Sequence, residues 1–425
     1  MIMQTYQEKI GAVNMTLLET KKFKSSKIVF KFRAPLERET ITKRTLLSML
    51  FETNNEMYKT QTEFRRRLAY LYGANFYTTV EKKGNEHILT AVFDTVSGRF
   101  VKDGDTLLKE AFKFMEQVFF FPNKNGAAFH EATLEREKVN LKSRLESVFD
   151  DKIRYANKRL IEEMFQDDVF RYPASGVLED VDQISASELF DYYQNFLKND
   201  QIDLLVAGDI TRDEIVPLVE SLPFADRAEK ESLNKAFPVR SEVQVITENQ
   251  PINQGKLALS YHTGVFFGDA DFVPLQLANG LLGGYANSKI FINVREKASL
   301  AYYASSRIDS FKGFMLISAG IDEKNYEQAL KIIKEQVAAM KAGDFTEEEL
   351  AQTKEMYINQ LLETNDSAQG LIELAYNNEL KQADLALSQW IEQIRGTTKD
   401  EVTQAVQKLQ EDTIYFLAKG ANEHE

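Results

Sequence analysis

The chain of 425 residues contains no cysteine. That absence removes disulfides, thiolate metal ligands and thiol catalysis together. Histidine is almost as scarce, with only His87, His130, His262 and His424. No two of them stand close enough in sequence to share one helix face, so no local metal-binding pair exists. His87 and His262 fall in strand patterns, His130 precedes a helix, and His424 lies in a C-terminus expected to fray. Each reads as a surface histidine or a satisfied core one, and a metal site built from distant residues is the one metal reading left open.

Long apolar runs are also missing: nowhere do 18 apolar residues follow one another, and the first 30 residues hold no basic stretch leading into an apolar one. A soluble, cytoplasmic protein with no membrane association is expected. Nor is there an excess of cations, since 52 Lys+Arg stand against 65 Asp+Glu for a net charge of -13. Nucleic acid and anionic membranes are therefore not expected partners.

Several sites of chemistry are excluded by pattern. Gly280 to Gly284 lacks the Gly-Lys-[Ser/Thr] of a phosphate loop and, as G-x-x-G-G, fails the dinucleotide fingerprint. No G-x-S-x-G nucleophile elbow occurs. Glu162-Glu163 and Glu347 to Glu349 lie in helical patterns and read as solvated faces. Phe119 to Phe121, just before Pro122, reads as a helix end buried in a core, the alternative being an exposed patch for a partner.

What the chain does have is ample core material, with 43% apolar and 11% aromatic residues. At roughly 150 residues per domain its length predicts two or three units. The organising feature is an internal repeat with a period far longer than that of a solenoid. Lys27 to Phe32 and Lys256 to Tyr261 both alternate as strands, offset by 229 residues. An apolar helix follows each, over Leu46 to Phe51 and over Leu277 to Leu282, and then a basic helix, over Thr62 to Leu68 and over Lys289 to Glu296. Hairpins come next: Leu71 to Glu81 returning as His87 to Asp94, and Leu300 to Asp309 returning as Phe314 to Asp322.

The remainder of each half is mostly helical. Asp105 to Phe119 matches Asn325 to Met340, and Thr133 to Glu146 matches Glu347 to Glu363, the latter opened by Thr346 with Glu349. Each half closes with a capped helix, opened by Ser185 with Glu188 and by Thr398 with Glu401, and then a strand, Ile202 to Gly208 and Ile414 to Gly420. The first half adds a short helix capped by Thr211 with Glu214. Between the halves, Pro223 to Pro238 is polar, charged and bounded by prolines, as linkers are. The expected architecture is α+β: two tandem homologous domains, 1–222 and 241–425, joined by a linker over 223–240. Each is a mainly antiparallel sheet with helices packed on one face.

The stretch Leu275 to Ser306 carries the functional signal. An apolar helix stops at Gly283-Gly284, a second helical pattern bears Arg295 and Glu296, and a strand begins near Tyr302. A guanidinium fork and a phenol placed close together are suitable donors to a carbonyl oxygen or an oxyanion. The alternative is structural: a helix-surface arginine paired to a carboxylate, and a half-buried strand tyrosine.

Here the chain resembles the M16 (insulinase, or mitochondrial-processing-peptidase-like) family, in particular its bacterial two-domain subunits. The family's L-G-G-x-x-x-S segment matches Leu282 to Ser288, and its [LV]-R-E-x-x-x-L-[AS]-Y matches Val294 through Tyr302. The resemblance implies the LuxS/MPP-like metallohydrolase fold, and it implies that Arg295 and Tyr302 are the family's R/Y pair, which contacts substrate backbone. It also implies a zinc motif, H-x-x-E-H, in the first helix of the first domain. In this chain those positions are Arg44, Leu47 and Ser48, and the family's distal E-R-x-x-x-x-x-E falls on Glu137 to Arg144, which puts Arg144 where a ligand should be, with Glu146 a near miss a few residues on. None of the three helix residues can serve, so neither metal nor cofactor is expected in this chain.

The resemblance then implies a non-catalytic, substrate-binding subunit of a heterodimeric zinc peptidase acting on peptides or unfolded segments. Zinc is expected in the partner, a zinc-bearing M16 homologue, and self-pairing as a homodimer is expected in its absence. The alternative is a structural or binding protein of the same fold with no role in proteolysis.

Overall fold

A computed structural model of the chain describes residues 3–228, 237–383 and 385–420. Of the linker expected over 223–240, residues 229–236 lie outside the described residues, as does His424.

The chain forms two compact units. The first is built on a six-stranded sheet whose spatial order is β1-β2-β8-β3-β5-β4. Its strands are β1 (Gln4–Ile10), β2 (Val13–Glu19), β3 (Ser25–Pro35), β4 (Asn75–Lys83), β5 (Glu86–Val96) and β8 (Gln201–Gly208), while β6 (Lys124–Asn125) and β7 (Ala128–Phe129) form a separate small hairpin. The second unit is built on β9 (Gln244–Gln250), β10 (Gly255–His262), β11 (Ala301–Asp309), β12 (Phe314–Ile321) and β13 (Gln410–Lys419), in the order β11-β12-β10-β13-β9. Read from the other edge, the second order matches the first with β9 in the place of β2 and β11 in the place of β4. Each sheet has one parallel pair, β2 with β8 and β9 with β13, and is otherwise antiparallel.

Alternation along the strands decides which face becomes core. On β3, Ile28, Phe30 and Phe32 point into the first core and are fully buried. Phe32 meets the ring of Phe196 at 4.7 Å and that of Phe119 at 5.2 Å, and Phe119 meets Phe51 at 5.7 Å. Of the Phe119–Phe121 run, Phe119 is fully buried and Phe120 packs partly buried against the core, while Phe121 is exposed. The expected caps are formed: Ser185 Oγ accepts from the Glu188 N–H (3.2 Å), Glu349 Oε2 from the Thr346 N–H (2.7 Å), and Glu401 Oε2 from the Thr398 N–H (2.7 Å).

The units do not follow one cut in the chain. Unit 1 includes Thr364–Asn377 from the second half, and unit 2 includes Ser147–Arg171 from the first. Each of these segments adds a helix to the sheet face that the core helices leave open. On the first sheet that face presents Lys31, which donates to Glu373 (2.9 Å) and lies 4.4 Å over the Tyr376 ring, while Lys83 donates to Glu373 (3.1 Å) and Asn377 (2.6 Å). On the second sheet, Tyr155 and Tyr415 both donate to Glu248 (2.5 and 2.7 Å), and Ser318 donates to Asn157 (2.7 Å). Glu162 and Glu163, expected as a solvated face, are held by Arg159 at 2.6 and 2.8 Å. These added helices were not legible in the repeat, because the segment 147–171 and its counterpart 364–381 look like ordinary amphipathic helices whatever sheet they cover.

Candidate functional site

The first-domain helix that the resemblance assigns to metal runs Ile41–Phe51, and all of it but Lys43 is buried. Arg44 lies inside, its Nη2 2.5 Å from Asp200 Oδ2 and its Nη1 donating to the Phe32 carbonyl at 3.2 Å. Burial pulls this guanidinium's pKa down, but the Asp200 carboxylate and Tyr192 together more than offset it and leave it raised. Leu47 is fully buried, and the Ser48 hydroxyl is bonded to Thr78 Oγ1 at 2.8 Å. A buried cation, an alkyl chain and a hydroxyl already paired within the protein do not fit a divalent metal. At the distal element the ligand position is Arg144, a cation that binds no metal, and Glu137, which opens the element, accepts from Thr53 Oγ1 and from Asn140 Nδ2, each at 3.0 Å. Among the described residues no three histidine or acidic side chains gather as a metal site.

Since Asp200 answers a buried cation, Asp200→Ala leaves the Arg44 charge unpaired and is expected to cost about 3–5 kcal/mol. Chemical denaturation of the variant measures this, and adding Arg44→Met is expected to recover most of the loss.

His87 sits beside this helix, fully buried, with Nε2 3.0 Å from the Ala174 carbonyl. Burial, helped by the charge of Arg44, pushes its pKa down to about 3. The unfolded chain therefore takes up this proton near pH 6.5 while the folded chain does not. The stability this group contributes is complete above pH 6.5 and is lost as the pH falls toward 3. The slope approaches about 1.4 kcal/mol per pH unit in that window. Denaturation midpoints measured across pH should show it, and His87→Gln is expected to flatten that part of the curve.

The second-domain stretch is built quite differently. The helix Phe272–Asn279 continues as a π-helical turn, Gly280–Gly284, and a second π-helical segment, Phe291–Lys297, carries Arg295. Wide π turns are uncommon and occur often at functional sites. Gly283 is required by close approach: a Cβ there would stand 2.7 Å from the backbone nitrogen and the hydroxyl of Ser306 in β11. The same contact is tied by Ser306 Oγ to Asn279 Oδ1 at 2.7 Å.

After the π segment the chain reverses at Ser299, whose φ of 53° is in the left-handed region that serine rarely adopts. The reversal is closed by the Leu300 N–H donating to the Val294 carbonyl at 3.0 Å. Tyr302 follows at once, on a β-bulge: Ala301 pairs with Ile321 and Tyr303 with Gly320, leaving Tyr302 opposite nothing. Bulges re-aim side chains at sheet edges, and β11 is an edge strand. Tyr302 is 76% exposed.

Arg295 and Tyr302 are thus set at one corner, on a segment and a strand that pack together. Both are exposed. Among the described residues Arg295 has no carboxylate partner; its guanidinium lies 4.6 Å from the Phe291 ring centroid. It is not the paired helix-surface arginine of the structural alternative, and Tyr302 is not half-buried. The residue types gave no warning of the π turns, the left-handed Ser299 or the bulge; only the Gly-Gly pair hinted at a close approach.

The two other described histidines serve the fold, His262 Nε2 lying 2.8 Å from buried Asp412 and His130 Nδ1 3.0 Å from Thr133 Oγ1. Among the described residues no helix is long and apolar enough to cross a membrane.

Comparison with known proteins adds a family model described as "Peptidase M16 inactive domain", which matches residues 183–357. "Probable inactive metalloprotease YmfF" of Bacillus subtilis strain 168 is 37% identical over 415 residues, 97% of each chain. A crystal structure of a conserved protein from Enterococcus faecalis V583 shares 38% identity and a TM-score of 0.94 over 99% of both chains. That of a peptidase M16 inactive domain from Pseudomonas fluorescens has a TM-score of 0.82 over 100% of both at 16% identity, a likeness of fold alone.

Proposed function

The chain belongs to the peptidase M16 family as an inactive homologue, and from that premise we propose that it is the non-catalytic, substrate-binding subunit of a two-chain zinc peptidase. Its partner is a metal-bearing homologue, and its substrates are peptides or unfolded segments in the cytoplasm. The observation that carries this reading is the use of the residues. The metal positions are spent on the fold, with Arg44 paired to Asp200 and Ser48 to Thr78. Arg295 and Tyr302 are instead exposed on two irregular elements that the chain strains to make.

In this division of labour the metal and the water-activating carboxylate come from the partner. The Arg295 fork donates to a substrate carbonyl beside the scissile bond, and the Tyr302 hydroxyl donates to the same carbonyl as negative charge develops on it. Because neither group has to leave an internal partner, little reorganisation opposes the contact. The test mixes the chain with its zinc-bearing homologue. Arg295→Ala should lower hydrolysis of an unfolded peptide while the two chains still co-purify; hydrolysis unchanged in an intact assembly would overturn the reading and favour a structural role.

A further inference from the structure

The two sheets match strand for strand except at one edge. In the first, β2 is covered by β1 along seven consecutive antiparallel pairs, from Gln4 with Glu19 to Ile10 with Val13. Under that cover Val13, Met15 and Leu17 are buried. In the second, β9 takes the place of β2, parallel to β13 in unbroken register from Gln244 to Gln250, and ends the sheet. Among the described residues β9 pairs with no other strand. Val245, on the face that is buried in β2, is 62% exposed, and Val243 just before the strand is exposed as well.

Such an edge is normally blunted by lysine, by proline within the strand or by a bulge. The sequence Gln-Val-Ile-Thr-Glu-Asn-Gln has none of these. Its one charged side chain, Glu248, is turned inward, a placement that can itself blunt an edge, but here the carboxylate is already satisfied within the unit by Tyr155, Tyr415 and Arg159.

We propose that the outer edge of β9 is the self-association surface of this protein, and that it pairs antiparallel with β9 of a second copy about a two-fold axis at Thr247. The axis supplies in trans the antiparallel relation that β1 supplies to β2. With Thr247 opposite Thr247, Val245 faces Asn249, Ile246 faces Glu248, Val243 faces Pro251 and Glu242 faces Ile252, so no like charges oppose each other. The surface is independent of the R/Y pair, because β9 and β11 are opposite edges of one sheet.

The absence of cysteine makes the test clean. Facing residues of an antiparallel pair have Cα atoms about 4.5–5.5 Å apart, within disulfide range. The 425-residue chain should sediment as a dimer. Thr247→Cys should give a covalent dimer on mild oxidation, while Ser305→Cys on the opposite edge should not. Thr247→Lys, which sets two ammonium groups against each other, should weaken the dimer at least about tenfold, while at dilutions where the wild type is itself monomeric the two thermal melts should coincide. A wild-type monomer at every concentration tested, or a dimer that survives Thr247→Lys and does not cross-link at position 247, would overturn the proposal. Neither result bears on hydrolysis by the mixed pair.

Discussion

Replacing Arg295 by alanine is expected to lower peptide hydrolysis by the mixed pair about 10²- to 10³-fold, the usual effect of removing one donor to a developing oxyanion. The loss should fall on both kinetic constants. In the proposed assembly the fork is expected to grip the carbonyl before reaction, which acts on KM, and to hold it more firmly as charge develops, which acts on kcat. Tyr302→Phe removes only the hydroxyl and should act mainly on kcat. The double variant should lose less than the product of the two, since both donors serve one oxygen. Neither substitution should alter the stability of the chain: Tyr302 makes no hydrogen bond among the described residues, and Arg295 only overlies Phe291. A fall in activity explained by a fall in stability would therefore count against the assignment.

Dividing the chain at the linker is expected to abolish folding of both halves. A fragment 241–425 lacks the Lys152–Met164 helix with Phe165 and Phe170, which belongs to unit 2. Leu160, Met164, Phe165 and Phe170 are all buried there, and Phe165 and Phe170 lie 5.4 and 5.9 Å from the Phe314 ring. At about 1.5–3 kcal/mol for each buried side chain, their loss removes roughly 6–12 kcal/mol, comparable to the whole stability of a typical domain. A fragment 1–222 lacks Glu373 and Tyr376, leaving the buried Lys31 with Glu81 as its one remaining carboxylate partner among the described residues. Calorimetry should find no cooperative transition in either fragment alone and a restored transition when the two are co-expressed. A cooperative melt of 1–222 by itself would contradict this.

Much of this was legible in the sequence, for identifiable reasons. The repeat survived because strand alternation such as Lys27 to Phe32 and capping pairs such as Thr398 with Glu401 are local signals, and local signals persist when loops drift in length. The disabled metal helix was legible because Arg44 differs chemically from any ligand. The strand pair β1–β2 was missed, since Gln4–Ile10 is polar apart from Tyr6 and Ile10 and is mostly exposed, so it shows no clear alternation. β9 was missed for a similar reason, its pattern being set by an open edge. The exchanged helices were missed because sequence periodicity marks the apolar stripe of a helix and not the sheet that receives it. At the candidate site the residues were visible and their setting was not: nothing in Lys-Ala-Ser-Leu announces a left-handed serine, and nothing in Leu-Ala-Tyr-Tyr announces a bulge.

The account's central claim is that this chain contributes to proteolysis only by completing another chain. The most direct measurement adds increasing amounts of it to a fixed amount of its zinc-bearing homologue and follows cleavage of a fluorogenic unfolded peptide. The rate should rise from near zero and saturate at one chain of each kind. A rate that is already maximal without this chain, or cleavage by this chain alone, would contradict the account.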